Sequence, residues 1–233
     1  MHRIIYLIAA TLLFTINSAA AQSRFSVAPR IGYGSISMAG MKTLQQEMVR
    51  GSELNARATD TFPAYYQFGL ALSYKASDIY TVGAILEKGS TGGRVAYADY
   101  SGSYQIDQLI KYNAVGAFIE HEFNSGKPVT FIGLETAAMA STLSLESTYT
   151  LYDATATSED KLEAFGVGFK PYVGVQYPLG RIQPRLSAGY FIYTGKPFHL
   201  PDNKEMVLMV NNNETGPDWS GFRLNFSVGL LLF

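Results

Sequence analysis

Residues 222–233 read FRLNFSVGLLLF, and from Phe222 every second residue is large and apolar: Leu224, Phe226, Val228, Leu230 and Leu232. The intervening positions carry Arg223, Asn225, Ser227 and Gly229, and Phe233 follows out of phase with the apolar series. A period of two puts the two sets on opposite faces of a strand, so the segment is predicted to lie between an apolar and a polar environment. Seven further stretches alternate in the same way: 24–35, 63–75, 79–88, 108–124, 129–144, 163–177 and 182–193, with 219–233 as the eighth. The connections between them alternate as well. Short turns at Ala76-Ser77-Asp78, Ser125-Gly126-Lys127-Pro128 and Pro178-Leu179-Gly180-Arg181 carry the residues that tight turns require. Long connections at 36–62, 89–107, 145–162 and 194–218 fall between those turns.

Antiparallel neighbours put alternate connections at opposite ends of a sheet. All short turns therefore gather at one end and all long connections at the other, the asymmetry of an eight-stranded antiparallel up-and-down transmembrane β-barrel with short periplasmic turns and long extracellular loops. Inside the first long connection, Met41, Leu44 and Met48 of MKTLQQEMV recur at helical spacing, which predicts a short amphipathic helix resting on the barrel rim.

Alternation alone does not say which face points outward, and a soluble eight-stranded carrier barrel would invert the assignment. The polar faces decide it. Opposite Tyr66, Phe68, Leu70, Leu72 and Tyr74 stand Gln67, Gly69, Ala71, Ser73 and Lys75; opposite Phe165, Val167 and Phe169 stand Gly166, Gly168 and Lys170. About one charge per strand among Gly, Ala and Ser is too sparse for a face in water and suits a cramped interior. The apolar face is then the lipid face, with Tyr near its ends as an aromatic girdle. The expected inward charges are Arg30, Lys75, Lys170, Arg185 and Arg223 against Glu87, Glu120, Glu122 and Glu135. Five cations and four anions nearly balance, so a polar, salt-bridged interior is expected, with Arg223 paired to acidic side chains. The side-chain phase of the fourth strand stays open, because Val115, Ala117 and Ile119 alternate almost as well as Ala114, Gly116 and Phe118.

Composition agrees with strands: 16 Tyr, 14 Phe and 22 Gly, with only 16% charged residues. There is no cysteine, hence no disulfide or thiolate metal site, and a net charge of -1 gives no electrostatic case for nucleic acid. At the N-terminus, Arg3, an apolar core and the Ala19-Ala20-Ala21 run have the layout of a secretory signal peptide, expected over residues 1–21 and cleaved to leave a barrel domain at 22–233.

The signal peptide, the eight segments with alternating turn lengths and the terminal GLLLF with Tyr-rich loops together resemble small bacterial outer-membrane β-barrels of OmpA-like or OmpX-like architecture. They are similar in particular to the PorT-like outer membrane protein beta-barrel domain group of Bacteroidetes. That resemblance implies a cell-envelope protein of the outer membrane, surrounded by outer-membrane lipid and inserted by the barrel-assembly machinery through its C-terminal strand; a monomer without cofactor or metal is expected.

Two eight-stranded barrel families edit lipid A, so catalysis is a fair question. A deacylase needs His and Ser two apart on a strand with an acid nearby; His121 is followed by Glu122 and Phe123 instead. A palmitoyltransferase uses His, Asp and Ser near the outer rim, for which His199, Asp202 and Ser220 are the candidates. The oxygen-bearing residues Asp202, Asn203, Asn211, Asn213, Glu214 and Asp218 lack the spacing of a calcium loop, and Gly126-Lys127 and Gly195-Lys196 lack a phosphate-binding frame. The leading expectation is a non-enzymatic structural or surface-binding barrel acting through its loops on an extracellular ligand or protein. A narrow, porin-like channel or translocator and a lipid A-modifying enzyme are the alternatives.

Overall fold

The computed structural model of the chain describes residues 24–51, 56–123, 126–152 and 154–232. The segment read as a signal peptide and the terminal Phe233 lie outside the described residues. In chain order the elements are β1 (Phe25–Gly34), α1 (Ala39–Gly51), β2 (Arg57–Thr61), β3 (Tyr65–Lys75), β4 (Tyr80–Ala98), β5 (Gly102–Glu122), β6 (Val129–Leu151), β7 (Ala154–Gln176), β8 (Ile182–Gly195), β9 (Met209–Val210), β10 (Asn213–Glu214) and β11 (Gly221–Leu232).

Eight of the strands close into a ring. β3, β4, β5, β6, β7 and β8 pair in sequence, β8 pairs with β11, and β1 sits between β11 and β3, every neighbour antiparallel. Closure runs from Phe25↔Leu232 to Gly34↔Arg223 on one side of β1 and from Phe25↔Tyr74 to Gly34↔Tyr65 on the other. The architecture is an eight-stranded up-and-down barrel. β2 stands outside the ring, against the upper part of β4 (Arg57↔Ala96, Thr61↔Gly93).

Four strands are longer than their apolar alternation suggests. The stretches 89–107 and 145–162, expected as long loops, are mostly paired strand. β4 and β5 stay in register from Gly89↔Tyr112 to Ala98↔Ser103, and β6 and β7 from Leu145↔Asp160 to Leu151↔Ala154. Strand registers persist there while the outward apolar signal is lost, because the outward positions of these extensions (Arg94, Asp107, Glu146, Glu159) are polar. A membrane crossing needs about 9–11 strand residues, whereas β6 and β7 have 23 each, so roughly half of each stands beyond the belt as a projecting sheet. At the tip between β4 and β5, Asp99 accepts hydrogen bonds from the Ser101 hydroxyl (2.7 Å), the Ser101 and Gly102 amides (2.8 and 3.1 Å) and the Tyr97 hydroxyl (2.8 Å). Those donors, the Ser101 hydroxyl first, hold its carboxyl down to about 2.

The genuinely long connections are 35–64 and 196–220, and both fold inward over the barrel mouth. α1 pushes Met41 into the mouth, with Met38 just before the helix also fully buried, and the buried Gln45 amide donates to the Asp60 and Arg94 carbonyls (2.6 and 3.3 Å). From the other connection come Phe198 and Trp219, both fully buried. They meet inward residues of the wall, among them Tyr65, Ile85, Ile110, Tyr112, Met139 and Leu143. This corrects the expectation of a polar interior throughout: the half of the barrel toward the long connections is filled by a hydrophobic core. Space for rings is made by glycine on the inner wall; a Cβ on Gly133 would fall against the Tyr172 ring, and one on Gly83 against Phe118.

Trp219 is the hub of that core, with ring centroids 4.6 Å from Tyr112 and 5.3 Å from Tyr65 and its indole N–H donating to Ser141 Oγ at 3.0 Å. Trp219→Ala is expected to cost about 3–5 kcal/mol, and Trp219→Phe less. The check is the urea midpoint at which the heat-sensitive folded band disappears from an unboiled gel; equal midpoints for Trp219→Ala and the parent chain would show that the plug contributes nothing to the fold.

Candidate functional site

The wall sorts its side chains by strict alternation. On β11, Phe222, Leu224, Phe226, Val228, Leu230 and Leu232 face outward at 36–51% exposure, whereas Arg223 and Asn225 between them are 3% and 5% exposed. The outward apolar series continues around the ring with Phe68 and Leu70 on β3, Leu86 on β4, Ile132 and Leu134 on β6, Val167 and Phe169 on β7, and Leu186 and Ile192 on β8. On β5 the phase left open by the sequence is resolved: Ala114, Phe118 and Glu120 are buried inside, and Val115 and Ile119 face out. A continuous apolar belt of this size is far beyond the few hundred Å² that a water-soluble monomer exposes.

The inner wall carries the charges, drawn together from seven strands. Arg30 on β1 lies between Glu135 on β6 (2.9 Å) and Glu87 on β4 (3.4 Å), and Lys170 on β7 holds the other oxygen of Glu135 at 2.8 Å. Toward the turn end, Arg185 on β8 and the Tyr172 hydroxyl (2.8 Å) both bind Glu120. Lys75 on β3 meets Glu122 at 3.1 Å, where Thr81 also donates to that carboxylate. The first two clusters are buried, with side chains no more than about 15% exposed, while Lys75 is 45% exposed at the barrel end.

Arg223 departs from the expectation of acidic partners. Its guanidinium donates to Gln67 Oε1 (2.6 Å) and to the Trp219 carbonyl (2.9 Å), and it lies over the rings of Tyr65 (4.9 Å) and Phe191 (5.1 Å). The reason is its position at the border between the charged layer and the aromatic core, where carbonyl dipoles and ring faces are the groups within reach. The sequence reading missed the neutral polar bridge beneath it: Gln67 donates to Asn225 at 2.7 Å, and the Tyr112 hydroxyl donates to Glu87 at 2.8 Å. Their only sequence signal was an inward position in the period-two pattern.

The packed interior leaves a cavity of about 40 Å³ beside Arg30, Glu120, Glu135 and Arg185 and another of about 10 Å³ between Gln67, Lys170 and Arg223. Cavities of this size have room for at most a few waters, far less than a pore requires.

The candidate catalytic groups are not assembled. His121 lies between Tyr80 (5.1 Å, tilted) and Phe123 (5.2 Å, edge-on). His199 Nδ1 faces the Leu200 carbonyl, Ser220 Oγ accepts from the Tyr193 amide, and Asp218 Oδ1 accepts from the Ser220 amide, so His199 and Ser220 are each engaged elsewhere. Asn203 Oδ1 caps the Glu205 amide, and Asn213 donates to the Asn211 carbonyl. Among the described residues no cluster of three His, Asp or Glu side chains has the geometry of a metal site.

The sequence matches no family model and no curated protein. Among solved structures the chain is similar to three outer-membrane proteins. OprG from Pseudomonas aeruginosa is 12% identical, with 89% of this chain and 95% of that one covered and a TM-score of 0.47. Neisserial surface protein A is 11% identical, with 89% and 97% covered and a TM-score of 0.39. Ail, the attachment invasion locus protein of Yersinia pestis, is 11% identical, with 89% and 97% covered and a TM-score of 0.33. The barrel itself is established by the chain's own strand register.

Removing Glu135 leaves Arg30 and Lys170 buried without their shared anion. Glu135→Leu is expected to cost about 3–5 kcal/mol, whereas Lys75→Ala at the exposed barrel end should cost about 0–1 kcal/mol. Urea unfolding followed by the fluorescence of the single tryptophan compares them, and equal losses would contradict the layered interior.

Proposed function

We propose that the chain is a non-enzymatic integral outer-membrane β-barrel protein, monomeric, exported by the leader read in residues 1–21, and acting as a surface-binding scaffold. The observation that carries this reading is the inversion of the wall, with apolar side chains outside and ion pairs inside. Such a wall is stable only where the outside is hydrocarbon; in water it would expose the belt and bury charges for nothing. The ring leaves no edge within the belt, which a lipid-facing backbone demands.

Binding is assigned to the projecting sheet. β7 begins its ladder with β8 only at Gly166↔Gly195, preceded by the single bridge Glu163↔His199. Residues 154–161 therefore pair with β6 alone and are exposed throughout. A rigid edge with free backbone donors and acceptors is suited to an extended segment of an extracellular protein, added as a further strand. The plugged interior supports this reading over a translocator.

Two measurements test it. An epitope inserted at Tyr100 in the β4–β5 tip should be labelled on intact cells, and one inserted at Ser77 in the β3–β4 turn only after the membrane is opened; the reverse pattern would overturn the orientation. In planar bilayers the purified barrel should give no steady conductance steps, and reproducible steps in the parent chain would favour the channel alternative.

A further inference from the structure

The outward belt is not uniformly bulky. Along β6 it carries Thr136 and Ala138, facing Ala117 and Val115 of β5 on one side and Phe169 and Val167 of β7 on the other; above them Ala140 faces Asn113 and Phe165, and Thr142 faces Lys111 and Glu163. Branched and aromatic side chains thus wall a floor of methyl groups, leaving an open apolar groove of about 570 Å³ lined by Val115, Ala117, Thr136, Ala138, Val167 and Phe169.

Directly toward the projecting end, the first charged side chains on the outward face of β4 and β5 are lysines, with carboxylates standing further up. Climbing β4 from Tyr80 and β5 from His121, Lys88 and Lys111 are the first outward side chains of Lys, Arg, Asp or Glu. Lys88 faces Asn113 and Lys111 faces Ser90, so the two lysines are diagonal neighbours on adjacent strands, a spacing of about 7–8 Å in antiparallel sheets. Neither forms an ion pair among the described residues. Asp107, further up β5, is taken by Arg94; Glu146 and Glu159 stand level with Asp107 on β6 and β7 and line the same open cleft as Lys111 without an ion pair to it; and Glu163 faces Thr142, one strand beyond Lys111.

Two cations without ion pairs at the upper boundary of an apolar belt, with an apolar groove below them that begins at Val115, are complementary to an amphiphile with an anionic head and hydrocarbon chains. We propose that this face docks one phosphate-bearing, multiply acylated glycolipid of the surrounding leaflet, its phosphate on Lys88 and Lys111 and one acyl chain in the groove between Val115 and Phe169. The inference rests on the reading that the belt lies in a membrane. Lysine serves phosphate as a mobile point charge, and the rigid strands fix the distance between head and chain positions. The small side chains at Ala138 and Ala117 let the chain approach the wall, where larger residues would hold it off.

Native mass spectrometry of the detergent-extracted barrel tests the assignment, with a diphosphorylated multiply acylated glycolipid, its dephosphorylated form and inorganic pyrophosphate as separate probes. One adduct of the phosphorylated lipid is expected, with at least about tenfold weaker retention of the dephosphorylated form. Lys88→Ala combined with Lys111→Ala should lower retention about tenfold, and so should Ala138→Phe, which fills the groove. Leu230→Phe, on the outward face of β11, should leave it unchanged. Equal retention of both lipids, an adduct with pyrophosphate as strong as with the lipid, or insensitivity to the lysine pair would overturn the proposal. The boiling-dependent gel shift of each variant separates the two levels: a retained shift with a lost adduct tests the site, whereas a parent chain without any shift sinks the membrane reading on which it rests.

Discussion

Everything in this structure depends on the need to pair every backbone N–H and C=O of a strand whose outer face is hydrocarbon-like. In a sheet that need is met only by closure, and closure here hangs on β1, which is hydrogen-bonded to β11 on one side and β3 on the other along nearly its whole length. Once the ring is closed, alternation does the rest, sending Phe222, Leu224 and Phe226 outward and Arg223 and Asn225 inward along the same strand. The inner face of an eight-stranded ring has room only for side chains, so the contents of the interior become the fold's second problem.

The chain solves that problem in two layers of different physics. Nearer the turns, Arg30, Glu87, Glu135 and Lys170 form a buried ionic cluster in which each charge has an opposite partner, and Glu120 is shared by Arg185 and Tyr172. Nearer the long connections the interior is hydrophobic, built by Trp219, Phe198, Met38 and Met41 descending from segments that are not part of the wall. Arg223 lies where the layers meet and is served by groups from both, a glutamine side chain, a tryptophan carbonyl and two rings. The two long connections are therefore structural as well as superficial: they complete the core that the barrel wall cannot supply alone.

The sequence showed the eight strands because each has at least a stretch where an apolar outer face alternates with a small or polar inner one, as in 66–75 and 222–232. It hid the upper halves of β4 to β7, since Arg94, Asp107, Glu146 and Glu159 face water there and the contrast that marks a strand disappears. Met41 and Leu44 were readable as an apolar helix stripe, yet nothing in their spacing says that the stripe turns into a barrel mouth. Inward position was readable for Arg223, but its partners were not, because which inner residues lie level with one another depends on register across eight strands, which alternation within one strand does not encode.

The central claim, that one face of each strand meets hydrocarbon and the other a packed interior, is tested most directly along β11. The chain has no cysteine, so single cysteines can be placed in turn at positions 222–232 and spin-labelled without background. Collisional relaxation by oxygen, which concentrates in lipid, should then rise at even positions and fall at odd ones in the reconstituted barrel. An oxygen profile without that period of two, or with its maxima at the odd positions, would contradict the account.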